Sequence, residues 1–147
     1  MRPFVIVRLL LVALALSACV RGTAPASAEQ GVLAFMAGVF DRPESPLRVP
    51  SVALVGDYAV AGWIQSGHGG RTLLKRSAEA WEFVVCGGAD LRTSAGLREA
   101  GLPAELVEPA LARLAEAEAG LSKEDLGLLG DFKGMMKMQG VGHPVRK

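Results

Sequence analysis

Cys86 is the residue that most needs a chemical reason. The chain has two cysteines, Cys19 and Cys86, and Cys19 lies in a segment that reads as a targeting signal, where it is either lipidated or cleaved away. One thiol then remains with no partner for an internal disulfide, which is unusual in an exported protein. Cys86 falls at the expected end of a strand, before Gly87-Gly88. Backbone amides there can lower a thiol pKa or leave the sulfur open to a soft metal. A buried small hydrophobe is the competing reading, the part most free cysteines play. His68 stands within Gly67-His68-Gly69-Gly70, either as a metal ligand on flexible backbone or as a solvated loop residue. The tail from Met135 to His143 gathers Met135, Met136, Met138 and His143 within nine residues. Thioether and imidazole donors suit Cu(I); the same methionines also read as the docking edge of a terminal helix. For a copper ion the candidate ligands are therefore Cys86, Met135, Met136, Met138 and His143, with His68 a poorer one.

Other chemistries find little support. The sequence contains no G-x-S-x-G, P-loop or H-E-x-x-H motif, and no His/Cys spacing resembles a zinc site. Cys86 and His68 would form a nucleophile pair only if a hairpin folded over the strand end, and nothing supplies an oriented third member. The carboxylates are spread along helix surfaces rather than paired. A non-enzymatic protein is expected. Net charge is +1 over the chain, and removing residues 1–18 with Arg2 and Arg8 leaves 14 basic against 15 acidic residues. A domain so near neutrality has no electrostatic footprint for nucleic acid.

Residues 1–18 carry a basic start and then an almost wholly apolar run from Leu9 to Ala18. That is the pattern of a secretory signal, too short to cross a bilayer as a stable helix. Two cleavage sites compete. Leu16-Ser17-Ala18-Cys19 resembles a bacterial lipobox, with Cys19 as the lipidated first residue, whereas Ala26-Ser27-Ala28 is an A-x-A site that would release Glu29. The apolar run ends at the cysteine, and the A-x-A site would leave a polar stretch containing Arg21, so the geometry favours the lipobox. Val20 rather than Asp follows it, which directs the lipid to the outer membrane. Acyl chains on Cys19 would anchor the protein firmly, with residues 20–28 as a tether. A periplasmic, membrane-anchored protein is expected, with residues 1–28 as signal and tether and 29–147 as one domain.

The elements that must position these side chains follow from periodicity. Val32, Phe35, Met36, Val39 and Phe40 recur at helical spacing over residues 29–40, and the small face of Gly31, Ala34, Ala37 and Gly38 suits close packing on a sheet. From Leu47 the period becomes that of strands: 49–55, a Gly56-Asp57 turn of type II′, 58–66, a glycine turn over 67–70, 71–76, a looser turn over 77–80, and 81–86. Strict alternation puts Trp81, Phe83 and Val85 on one face and Glu82, Val84 and Cys86 on the other. Beyond Gly88 the pattern is helical: a short helix over 94–100 stopped by Gly101, then a stripe of Leu106, Val107, Ala110, Leu111, Leu114, Ala117 and Leu121 with Glu118 off it. Pro109 predicts a kink or a true start near Glu108. Ser122 caps a last short helix, and the tail from Gly134 is expected to fray.

Three segments resemble a small bacterial family, the copper uptake system-associated proteins. They are Gly56-Asp57-Tyr58-Ala59-Val60-Ala61-Gly62-Trp63-Ile64-Gln65, then Gly69-Gly70-Arg71-Thr72-Leu73-Leu74-Lys75-Arg76, then Trp81-Glu82-Phe83-Val84-Val85-Cys86-Gly87-Gly88. The resemblance spans about residues 47–121. It implies a short exported protein with this hairpin pattern, associated with periplasmic or outer-membrane copper-handling proteins, and it carries over no ligand residue. The expected architecture is α+β: an N-terminal helix, a four-stranded antiparallel meander, and C-terminal helices packed on the sheet. The expected function is an accessory role in copper uptake, binding copper or a copper-handling partner. The alternative is a metal-free interaction module of the cell envelope.

Overall fold

A computed structural model describes residues 27–78, 80–138, 140 and 141. Helix α1 spans Ala28–Phe40 and opens on a capping box, in which the Ser27 hydroxyl accepts from Gln30 N and the Gln30 side chain accepts from Ser27 N. Its apolar stripe turns inward as expected, with Val32 and Met36 fully buried. The small face does not: Ala34, Ala37 and Gly38 are exposed, and only Gly31 approaches the sheet, against Trp81. The bulky stripe wins because it removes more apolar area from water.

Four strands follow as an antiparallel meander, β1 (Arg48–Val55), β2 (Tyr58–Gln65), β3 (His68–Ser77) and β4 (Ala80–Gly87). The first turn has Gly56 at φ 54° and joins the pair Val55–Tyr58, as a type II′ hairpin requires. The second differs from expectation. Ser66 and Gly67 both take positive φ, and His68, Gly69 and Gly70 belong to β3, paired with Gln65, Ile64 and Trp63. Gly69 and Gly70 are needed not for turning but for close approach. A Cβ on Gly70 would lie 2.8 Å from Gly87 O and 3.1 Å from Phe132 Cβ, and one on Gly69 would lie 2.9 Å from Leu128 O. The third connection is also tighter than expected, since Ser77 pairs with Ala80 and Ala78 takes the left-handed conformation at φ 46°.

After a 3₁₀ turn at Ala89–Arg92 the chain forms α2 (Ser94–Glu99), α3 (Ala104–Glu118) and α4 (Lys123–Asp131). Helix α3 runs unbroken through Pro109. Pro109 lies past the first turn and forgoes the one backbone bond its nitrogen would have made, yet the helix starts at Ala104 rather than near Glu108. Ser122 caps α4 through Asp125 N at 3.0 Å. The tail does not fray from Gly134: Met136–Lys137 form a short fifth strand, β5, antiparallel to β4, and Met138 N donates to Val84 O at 3.0 Å. The sheet order is β1-β2-β3-β4-β5.

The fold is α+β as expected, but helices cover both faces of the sheet. On one side α2 and α3 pack Leu97, Val107, Ala110 and Leu114 on Ala53, Val60, Leu73 and Val85. On the other, α1 packs Val32 and Met36 on Ala59, Leu74, Trp81 and Phe83. A stripe spaced three, four and four residues along α3 runs Val107, Ala110, Leu114 and Glu118, so Glu118 is buried rather than off the stripe. Its carboxylate grips Arg71, itself 2% exposed, with Arg71 Nε and Nη2 donating at 2.7 and 2.9 Å. Arg71 Nη1 also donates to Gly88 O and Leu129 O at 3.3 and 3.0 Å. One guanidinium thereby fastens β3, the end of β4, α3 and α4.

Candidate soft-metal pocket

The position of Cys86 depends on one irregularity. Strict alternation sets it opposite Trp81 and Phe83, yet all three share the face covered by α1. The register explains the difference: Leu73 pairs with Val85 and Leu74 with Phe83, so Val84 is an extra residue on β4. Such a bulge advances the strand by one residue and inverts the facing of everything beyond it. Val85 therefore joins the α3 core, and Cys86 turns to the α1 side, opposite Thr72.

Strand β5 then sorts the tail methionines by the same period. Met136 pairs with Cys86 across the ladder, and Met138, two residues on, returns to the same face and is buried. Met135 falls on the other side and packs against the α2–α3 core. Cys86, Met136 and Met138 line one pocket of about 190 Å³, and Met36 of α1 lines it too. Sequence reasoning missed Met36, because a methionine on an apolar helical stripe carries the same signal whether it fills a core or faces a cavity.

The remaining walls are Phe40, Leu47, Trp63, Phe83 and Phe132, with Gln65 and Thr72 as the polar members. Phe83 is wedged between Phe40 and Phe35, with ring centroids at 5.3 and 4.8 Å, and Phe132 stands edge-on to Trp63 at 6.2 Å. Gln65 Nε2 donates to Phe40 O and Ser45 O at 2.8 and 2.7 Å, and the Thr72 hydroxyl to Val85 O at 3.0 Å. Trp63 Nε1 is buried with no hydrogen-bond partner among the described residues. Among the described residues, no Asp, Glu, Lys or Arg lines the pocket.

Cys86 is 6% exposed. Burial pushes its thiol pKa above the ordinary value of 9.0, and the Thr72 hydroxyl offsets part of that rise. The lowered pKa that a strand end before two glycines suggested is thus reversed by desolvation. His68 does not join the site. It is exposed, outside the pocket lining, and four positions along β3 from Thr72, the residue opposite Cys86, or roughly 13 Å away at the rise of a strand. The Cys86–His68 pair is not formed. His143 and Cys19 lie outside the described residues.

A single ionisable sulfur among thioethers in an apolar wall suits a soft, monovalent cation. Cu(I) takes few ligands and favours sulfur, and one thiolate cancels its charge. Among the described residues, no group of three or more His, Cys, Asp and Glu is placed to hold a metal, and the soft donors described in the pocket are the Cys86 thiol and thioethers. No helix among the described residues is long and apolar enough to cross a membrane. Comparison of the chain with models of known families, with curated proteins and with solved structures returned no match.

Proposed function

We propose that this chain is an exported, non-enzymatic accessory protein of bacterial copper uptake, whose sulfur-lined pocket takes Cu(I). The observation that carries the reading is the gathering of Cys86, Met136 and Met138 on one uncharged pocket. Two of the three arrive from a tail separated from the cysteine by some fifty residues. A core that needed only volume would be served as well by leucine, which is stiffer and packs more specifically. The sequence resemblance to the copper uptake system-associated proteins points the same way. In this reading residues 1–18 direct export, acyl chains on Cys19 hold the protein at the membrane, and copper passes to or from a periplasmic or outer-membrane copper-handling protein.

Titration of the purified chain with Cu(I) against a competing chelator tests it. Submicromolar binding is expected, lost in Cys86→Ser and in a chain ending at Gly134. Unchanged affinity in both variants would overturn the ligand assignment. Absence of binding would favour a second reading, a metal-free envelope module. That reading has one observation of its own: Met136, on the outermost strand, is 51% exposed, as a docking residue would be.

A further inference from the structure

We infer that Met36 is a fourth sulfur donor of the pocket, which makes its described donor set all sulfur and selective for a monovalent soft cation. The inference rests on the copper reading above and deepens it. Met36 reaches the pocket from a different layer of the fold: it belongs to α1, is 1% exposed, and shares the pocket wall with Cys86, Met136 and Met138. Its place is set by the α1 stripe that packs on Trp81 and Phe83, whereas Met136 and Met138 depend on a two-residue strand. The site therefore has a donor pair fixed in the core, Met36 and Cys86, and a second pair on the tail.

Selectivity follows from charge. Among the described residues the lining holds one group able to become an anion, Cys86, and no charged residue. A bound monovalent cation and the thiolate sum to zero, with the thiol proton leaving to solvent as the metal–sulfur bond forms. A divalent cation would leave one positive charge unbalanced in an apolar wall, which is strongly disfavoured. Thioethers add donor atoms without adding charge, and they prefer Cu(I) to Zn(II). Among the described residues imidazole plays no part, since His68 stands away from the pocket.

Ag(I), a redox-inert cation of the same charge and softness, gives a readout independent of any folding defect. In the full chain labelled at the methionine methyls, five resonances are present. Ag(I) is expected to shift three of them, Met36, Met136 and Met138, and to leave Met1 and Met135 in place. Met36→Leu is a volume-conserving change that the core should accept. It is expected to weaken Cu(I) binding about tenfold or more, on the scale seen when the surroundings of a metal site are altered. His68→Ala and Met135→Leu are expected to leave affinity unchanged. Two shifted methyls, or wild-type affinity in Met36→Leu while Cys86→Ser loses the metal, would overturn the role of Met36 and leave the copper reading standing. Zn(II) binding as tight as Cu(I) would overturn the charge argument, and a wild-type chain that binds neither Cu(I) nor Ag(I) would overturn both.

Discussion

Replacing Glu118 by Gln removes one charge and almost no volume from the most deeply buried ion pair among the described residues. Glu118 and Arg71 are 1% and 2% exposed and share two hydrogen bonds of 2.7 and 2.9 Å. The guanidinium keeps two carbonyl acceptors, Gly88 O and Leu129 O, but no carboxylate in the variant. The new amide also turns a donor toward an arginine N–H. Breaking a buried pair on one side typically costs about 3–5 kcal/mol, because the surviving charge stays desolvated. Domains of this size have a total stability of about 5–15 kcal/mol, so thermal unfolding should fall by roughly 9–25 °C at about 3–5 °C per kcal/mol. Chemical denaturation of wild type, Glu118→Gln, Arg71→Leu and the Arg71→Leu/Glu118→Leu double variant measures it. The double variant should cost clearly less than the two single changes added together, since no charge is left stranded. Arg92, whose Nε is 3.4 Å from Glu118 Oε2 but whose side chain is 48% exposed, should lose less than about 1 kcal/mol on change to Ala. A Glu118→Gln cost below about 1 kcal/mol, or strictly additive single changes, would refute the claim that this pair is desolvated and coupled.

Other measurements reach the pocket and its frame. Because burial holds the Cys86 thiol above its ordinary pKa of 9.0, the metal-free protein should react slowly with thiol reagents at neutral pH and faster under denaturing conditions. Equal rates in the two would contradict the burial. The same shift means that the folded state keeps this proton longer than the unfolded chain. Its stabilising contribution is complete below pH 9 and is lost as pH rises through the folded value, so Cys86→Ser should flatten the alkaline fall in stability. Gly88→Ala drives a Cβ into Phe132 O and within 2.9 Å of Gly130 O. It should destabilise by about 1–3 kcal/mol, as overpacking against fixed backbone does, in the denaturation assay that leaves Gly38→Ala, an open helical position, neutral or better. Ending the chain at Gly134 removes β5 and should raise binding of a hydrophobic dye to the opened pocket; unchanged dye binding would mean that β5 does not cover it.

The parts of the fold legible in the sequence are those governed by one local rule at a time. The period of Val32, Met36 and Val39 sufficed for α1, Gly56-Asp57 for its hairpin, Gly101 at φ 98° for the end of α2, and Ser122 for the start of α4. Failures came where two rules compete. The glycines of 67–70 look like a turn because turns and close approaches favour the same residue, and only the segment Leu128–Phe132 lying over Gly69 and Gly70 tells them apart. Glu118 looked solvated because charge argues for the surface. Its partner Arg71 is 47 residues away and enters no window of local periodicity.

The pocket was half legible for a similar reason. Soft donor types in the tail can be read from composition, but which of them meet depends on parity. A strand period of two sends Met136 and Met138 one way and Met135 the other once the pairing of Cys86 with Met136 is fixed. That pairing faces the right side only because Val84 adds one residue between Phe83 and Val85. Without the inversion at the bulge, Cys86 and its cross-strand partner Met136 would both point toward α3, away from Met36. The chemistry of the site thus hangs on a backbone irregularity that residue types do not announce. Val84 O, at that irregularity, also accepts the hydrogen bond from Met138 N that ties the tail down. A single local departure from regular pairing therefore aims the Cys86 thiol and anchors the strand that brings Met136 and Met138 to the same pocket.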